Sequence, residues 1–255
     1  MSVKTLLAFA VSAIVLLEAK SANLRITGGE DASLGQFPYE VAIIIEDLTG
    51  ACAGSLISEE YVLTVADCLE LDGDWIVVLG AKDISVVEPG QIRQKISKEN
   101  YIIHENFTSF EEHNIALIKL PQPVQYNDLI QPIKLTDSQR DLAGEVGVVA
   151  GWGTSYGAQI IASPVLQWTN NTFLTYEQCI YDHPIFTEAL RDEHVCLAPD
   201  YYKAPCVGDA GSPIVVNGEQ VALVSYGYFN CFLFKPNVNT RISAYRDWIK
   251  EKTGI

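Results

Sequence analysis

Basic residues are scarce in this sequence: 17 Lys and Arg stand against 32 Asp and Glu in 255 residues, a formal net charge of -15. A surface of that sign repels phosphates, which excludes a nucleic-acid binder and a protein drawn to anionic lipid. Long apolar runs are lacking too. The one candidate, "LLAFAVSAIVLL" from Leu6 to Leu17, falls short of the ~20 residues that a membrane span needs. There is no exact repeat and no low-complexity linker. With 48% hydrophobic and 19% charged residues the composition is not that of a disordered chain. It suffices for a full core in one large domain or two small lobes.

The short apolar run follows Lys4 and precedes "EAKSAN", where Ala19 and Ser21 are small enough for a signal-peptidase site. Residues 1–21 therefore read as a secretory signal, and the mature protein as soluble and extracellular. Six cysteines fit an oxidising destination, with three near pairs in sequence: Cys52 and Cys68, Cys179 and Cys196, Cys206 and Cys231. By count alone, six cysteines permit about fifteen connectivities. Removing residues 1–25 takes away Lys4, Lys20, Arg25 and Glu18, leaving 14 basic and 31 acidic residues, a net of -17. Two sequons, "NFT" at Asn106 and "NNT" at Asn170, predict glycans.

From Tyr39 onward, short β-branched and aromatic runs alternate with Gly, Pro, Asn and Asp: "YEVAIII", "YVLTV", "DWIVVL", "NIALIKL", "GVVAGW", "SPIVV" and "VALVSYGY". Runs of this length and spacing predict an all-β barrel or sandwich. Two helices are predicted. "LTYEQCIYD" offers Thr175 as N-cap with Gln178 three residues on, a capping box. "ISAYRDWIKEKTGI" offers Ser243 as N-cap, Tyr245, Trp248 and Ile249 on one core-facing stripe, and Gly254 as a stop.

Seven segments in register resemble the chymotrypsin-like (trypsin-fold) serine proteases. "RITGGEDASLGQFPYEVAI" resembles their activation junction, "CAGSLISEEYVLTVADC" the histidine loop, "NIALIKL" the aspartate strand and "GWGT" the start of the second barrel. "GDAGSP" resembles the nucleophile loop, "VSYGY" the substrate-binding strand and "ISAYRDWI" the closing helix. The resemblance covers Ile26 to Ile255 and implies two six-stranded antiparallel β-barrels, about 39–135 and 136–240, with a C-terminal helix over about 243–253. It also implies the three near-neighbour disulfides. A short propeptide, 22–25, would end at Arg25-Ile26, a bond suited to a trypsin-like activator. No metal and no cofactor are implied.

The chemistry of that family needs a serine oxygen to attack, an imidazole to carry its proton and a carboxylate to orient the imidazole. At the corresponding positions this chain has Ala210, Asp67 and Asn114. Ala210 has no nucleophilic atom, Asp67 titrates far below imidazole, and Asn114 is neutral. The expectation from these residues is that the chain is not an enzyme. Ser212 and Ser225 lack an evident base. His113, next to Asn114, should point to the opposite face, and His104, His183 and His194 read as surface or loop residues.

The specificity pocket of the family corresponds here to Ala204, Ser225, Gly227 and Asn237. Asn237 stands where the family has glycine, so the pocket should be narrowed or filled. Gly208 and Ala210 would supply the oxyanion-hole amides. Asp209 would pair with the new amino group of Ile26 after cleavage, an interaction costly to break once buried, on the order of 3 to 5 kcal/mol. Together these features suggest a secreted, monomeric binder of other proteins: a cofactor, decoy or antagonist in a protease cascade. The setting would be immunity or, for a salivary or venom protein, a host's haemostasis or complement. The short propeptide and three disulfides resemble arthropod members. Two alternatives remain: a hydrolase of unusual mechanism using Ser212 or Asp67, and a small-ligand or carbohydrate module anchored by Asp67, Asn114 and Asn237.

Overall fold

The computed structural model describes residues 29–45, 51–70, 73, 75–154, 163–182, 190–198, 203–227 and 235–255. The signal, the propeptide, the Arg25-Ile26 junction, His183 and Cys231 lie outside them. Strand β1 (Glu30–Asp31) is short and pairs with the second of two sheets. The first sheet follows from β2 (Glu40–Ile45), β3 (Ala51–Leu56), β4 (Tyr61–Thr64), β5 (Trp75–Leu79), β6 (Ile92–Ile96), β7 (Tyr101–Ile103) and β8 (Ala116–Lys119), in the order β6-β5-β2-β3-β4-β8-β7. The second takes β9 (Lys134–Leu135), β10 (Val146–Gly151), β11 (Gln167–Thr172), β12 (His194–Leu197), β13 (Pro213–Val216), β14 (Glu219–Tyr226) and β15 (Asn237–Arg241), in the order β1-β11-β10-β13-β14-β15-β12. β9 lies parallel to β14, and the other pairs are antiparallel.

Two curled antiparallel sheets agree with the fold expected from the resemblance. The expected count of six strands each becomes seven and eight, because short pieces such as β1 and β9 extend the sheets. The strands read as continuous apolar runs because both faces of the central ones are covered. On β2, Val41 and Ile43 enter the core of the first sheet, while Ala42 and Ile44 face a second layer with Ile76, Val78, Ala150 and Trp152. A third cluster, with Val149, Phe173, Leu197, Ile214 and Leu142, fills the second sheet. The two lobes are thereby pressed together along β2, β5 and β10.

Helix α1 (Ala66–Glu70) carries Asp67. Helix α2 (Tyr176–Asp182) begins with the expected capping box: the Gln178 amide donates to Thr175 Oγ1 at 3.2 Å and the Thr175 amide to Gln178 Oε1 at 3.0 Å. The C-terminal α3 (Arg246–Thr253) ends at Gly254, whose φ of 81° is a left-handed cap. Tyr245, Trp248 and Ile249 pack on the first core as expected. Ser243 does not cap α3. It is buried in a 3-10 turn, Ile242–Ala244, and Tyr245 takes the N-cap position. Disulfides join Cys52 to Cys68 and Cys179 to Cys196. Cys206 is also disulfide-bonded, to a partner outside the described residues.

Candidate functional site

The cleft residues are brought together by a bend in β14. Its register against β15 shifts between Val224 and Tyr226. A bulge of this kind leaves Ser225 unpaired and re-aims its side chain. Ser225 Oγ accepts a hydrogen bond from Asn114 Nδ2 at 2.9 Å, and the Asn114 side-chain oxygen accepts one from the Asp67 amide at 3.1 Å. Asn114 is 1% exposed, and its backbone carbonyl accepts from Thr240 Oγ1 at 2.9 Å. Asp67, Asn114 and Ser225 thus form one chain of contacts across the two lobes. Burial raises the Asp67 carboxyl above its ordinary pKa, opposed by its hydrogen bond with Asn114, and its Oδ1 has no hydrogen-bond partner.

Ala210 is placed beside this group by its loop. Its carbonyl accepts from the Ala53 amide at 2.7 Å, and the next amide, of Gly211, donates to Val224 at 2.8 Å. Gly208 takes a φ of 98°, open to glycine and strained for other residues. The Asp209 side chain turns inward. Its Oδ1 accepts from the Gly153 amide at 2.8 Å and its Oδ2 from the Cys206 amide at 2.9 Å. The carboxyl is 0% exposed, and burial pushes its pKa up to about 6 against the pull of those two amides. The "GWG" motif has a physical reason here: a Cβ on Gly151 or Gly153 would lie 2.1 or 2.3 Å from an Asp209 oxygen.

In the pocket region, Ala204 is buried and Asn237 packs against Gly227. Asn237 Nδ2 lies 2.5 Å from where a Gly227 Cβ would be, so the amide occupies the space beside that strand. Asn239 Nδ2 fastens the same segment to the Val195 and Asn237 carbonyls. The outer wall is aromatic: Phe110 is 43% exposed and its ring centroid is 5.2 Å from that of Tyr226.

His194 departs from the expectation of surface or loop placement, whereas His104 lies in a loop as expected. His194 is on β12, 8% exposed and edge-on to Tyr226, and burial lowers its pKa to about 4. His104 is partly buried and stacks on His113, with ring centroids 4.9 Å apart. His113 has a φ of 52° and its Nδ1 is 3.2 Å from Tyr245 Oη. The sequence hint for His194 was its place in the buried strand "HVCL". Ser212 is 0% exposed. One buried acid went unrecognised in sequence, Glu40, although it opens an apolar run. Asn106 and Asn170 are both exposed.

Residues 26–249 match the family model described as Trypsin. Chymotrypsin-2 of Vespa crabro is 33% identical over 230 residues, covering 89% of this chain and 99% of the relative. Brachyurin of Leptuca pugilator is 33% identical over 232 residues, covering 90% and 99%. Chymotrypsin-C of Bos taurus is 32% identical over 261 residues, covering 97% and 96%. These matches overturn the expectation that the chain is not an enzyme. Relatives at this identity, aligned over nearly the whole length, carry protease names and point to a protease.

Proposed function

The chain belongs to the trypsin family of serine proteases, and from that premise we propose that it acts by binding other proteins, as a cofactor, decoy or antagonist in a protease cascade. The observation that carries this reading is the shape of the cleft. Asn237 occupies the space against Gly227, while Phe110 stays exposed beside Tyr226. Such a cleft keeps an apolar wall for a partner's chain and admits little into the pocket behind it. Aromatic anchors of this kind carry a large share of protein-protein affinity.

The reading includes secretion, cleavage after Arg25, a monomer, and glycans on the exposed Asn106 and Asn170. Among the described residues no helix is long and apolar enough to cross a membrane. The test is affinity capture with Ile26-processed protein as bait, from the producer's body fluid and from vertebrate plasma, with identification by mass spectrometry. Capture of a cascade protease or its substrate, weakened by Phe110→Ala, supports the reading. Capture of nothing, or of a partner indifferent to Phe110→Ala, sinks it.

A second reading, peptide hydrolysis, is favoured by the names of the relatives and by Asp67, a cleft carboxyl with a raised pKa and an unpartnered oxygen. Such a group can take a proton from water. Turnover of a fluorogenic peptide panel that Asp67→Asn abolishes would establish it. Turnover unchanged in Asp67→Asn would exclude Asp67.

A further inference from the structure

A cavity of about 600 Å³ opens in the second lobe, between α2, β12, the end of β15 and the 139–143 loop. That volume is within the range of small-molecule sites, ~300 to 1,000 Å³. Asp67, Asn114, Ala210, Ser225 and Asn237 take no part in its lining, so it is separate from the cleft. Leu142, Phe173, Leu174 and Leu190 contribute apolar wall. Arg241, the last residue of β15, contributes a half-buried guanidinium.

Arg241 differs from Arg140, Arg191 and Arg246, which pair with Glu145, Glu112 and Asp137. Among the described residues no carboxylate pairs with Arg241. Its Nη1 donates to the Arg140 carbonyl over 3.4 Å, and its Nε is buried with no acceptor. A guanidinium drawn out of water without a counter-ion costs the fold free energy, and an anion in the cavity would offset that cost. The other charges decide which anion. Asp141, Glu177 and Asp192 line the cavity and are exposed, and Asp141 Oδ1 already accepts from the Ala143 amide at 2.9 Å. Coulomb repulsion scales with charge, so these acids oppose a dianion about twice as strongly as a monoanion and a polyanion more strongly still. The apolar wall in turn favours a ligand with an apolar body to bury.

We infer that this cavity is a binding site for a small amphipathic monocarboxylate, a fatty or aryl acid, whose carboxylate pairs with Arg241 while its body lies on Leu142, Phe173 and Leu190. The two oxygens of a carboxylate match two parallel N–H groups of a guanidinium edge. An alcohol of the same length offers one oxygen and no charge. The acid should therefore bind at least about tenfold more tightly than the alcohol. Neither cleavage at Arg25 nor the chemistry of the cleft bears on this site.

The experiment titrates the full chain, isotope-labelled at arginine and at the backbone amides, with sodium octanoate at pH 7 and follows it by NMR, with octanol and sodium sulfate as parallel titrants. The spectrum of Arg241→Gln identifies the Arg241 Nε–H resonance; Arg241→Lys, which keeps the charge, identifies it where the first variant does not fold. Octanoate should shift that resonance saturably, octanol should bind at least about tenfold more weakly, and sulfate should leave it in place. In Arg241→Gln, octanoate should bind no more tightly than octanol. Arg191→Gln also changes an arginine of the lining, but one already held by Glu112, and should bind octanoate as wild type does. Octanoate that moves other resonances and leaves that of Arg241 in place overturns the inference, as does the absence of any saturable shift. Equal affinity for octanol, or a sulfate shift of the same size, overturns the assignment to a monocarboxylate.

Discussion

Asn114 accepts from the Asp67 amide at 3.1 Å and donates to Ser225 Oγ at 2.9 Å. A neutral amide serves as acceptor and donor at once, whereas a carboxylate only accepts. Asn114→Asp would therefore remove a donor and put a second negative charge against Asp67, whose pKa is already raised. The variant should lose about 1 to 3 kcal/mol at pH 8. Both acids would have folded-state pKa values above their unfolded ones, so the loss grows as pH rises and fades toward pH 4. Urea unfolding at pH 4 and 8 measures it, and an equal loss at both would refute the charge argument.

Asp209 and His194 make opposite contributions to acid stability in the uncut chain. Asp209 has a folded pKa raised from 3.8 to about 6. The folded state binds the extra proton, so stability falls as pH rises from about 4 to 6, by about 3 kcal/mol. His194 has a folded pKa lowered from 6.5 to about 4. Here the unfolded state binds the extra proton, and stability falls as pH drops from about 6.5 to 4, by a similar amount. His194→Gln removes the second effect alone. Its stability should then decline with rising pH more steeply than that of wild type between pH 4 and 6.5. Parallel curves would show that His194 is not held neutral by burial.

Asn237 fills the space against Gly227. Its Nδ2 sits 2.5 Å from a Cβ built on Gly227. Asn237→Gly should open a site for a neutral aromatic probe such as indole, seen as saturable NMR shifts at millimolar concentration in the variant and absent from wild type. If both chains bind indole alike, Asn237 does not limit the pocket.

Much of the fold was legible because β-branched runs bounded by turn residues mark strands however the chain is wound. "DWIVVL" became β5, "GVVAGW" became β10, and Thr175 with Gln178 capped α2 as patterned. Asp67, Asn114 and Ser225 could be named from motifs, but not their hydrogen bonds, because a bulge in β14 aims Ser225 and a bulge has no local sequence mark here. Glu40 escaped notice because an acid at the head of an apolar run ordinarily turns to solvent; the second lobe covers that face of β2. His194 was misplaced for the same reason, since burial is decided by what packs against β12 and not by the residue's polarity. Ser243 has the chemistry of an N-cap, yet a 3-10 turn precedes α3 and draws it inward.

Gly153 holds Asp209 by leaving room for it. Its amide donates to Oδ1 at 2.8 Å, while a Cβ on the same residue would meet Oδ2 at 2.3 Å. Gly153→Ala must therefore push the carboxylate away from the donor that balances its burial. The side chain has no open space to take, because it is fully enclosed and Gly151 confines its other oxygen. Leaving such a group poorly satisfied costs about 1 to 3 kcal/mol beyond the steric strain. Gly153→Ala should thus lower the melting temperature by on the order of 5 to 10 °C. Combining it with Asp209→Ala should recover much of that loss, since the clashing group is then gone. If the double variant melts as low as the sum of the two single losses, the alanine methyl and Asp209 do not meet, and the close approach at the "GWG" motif has another cause.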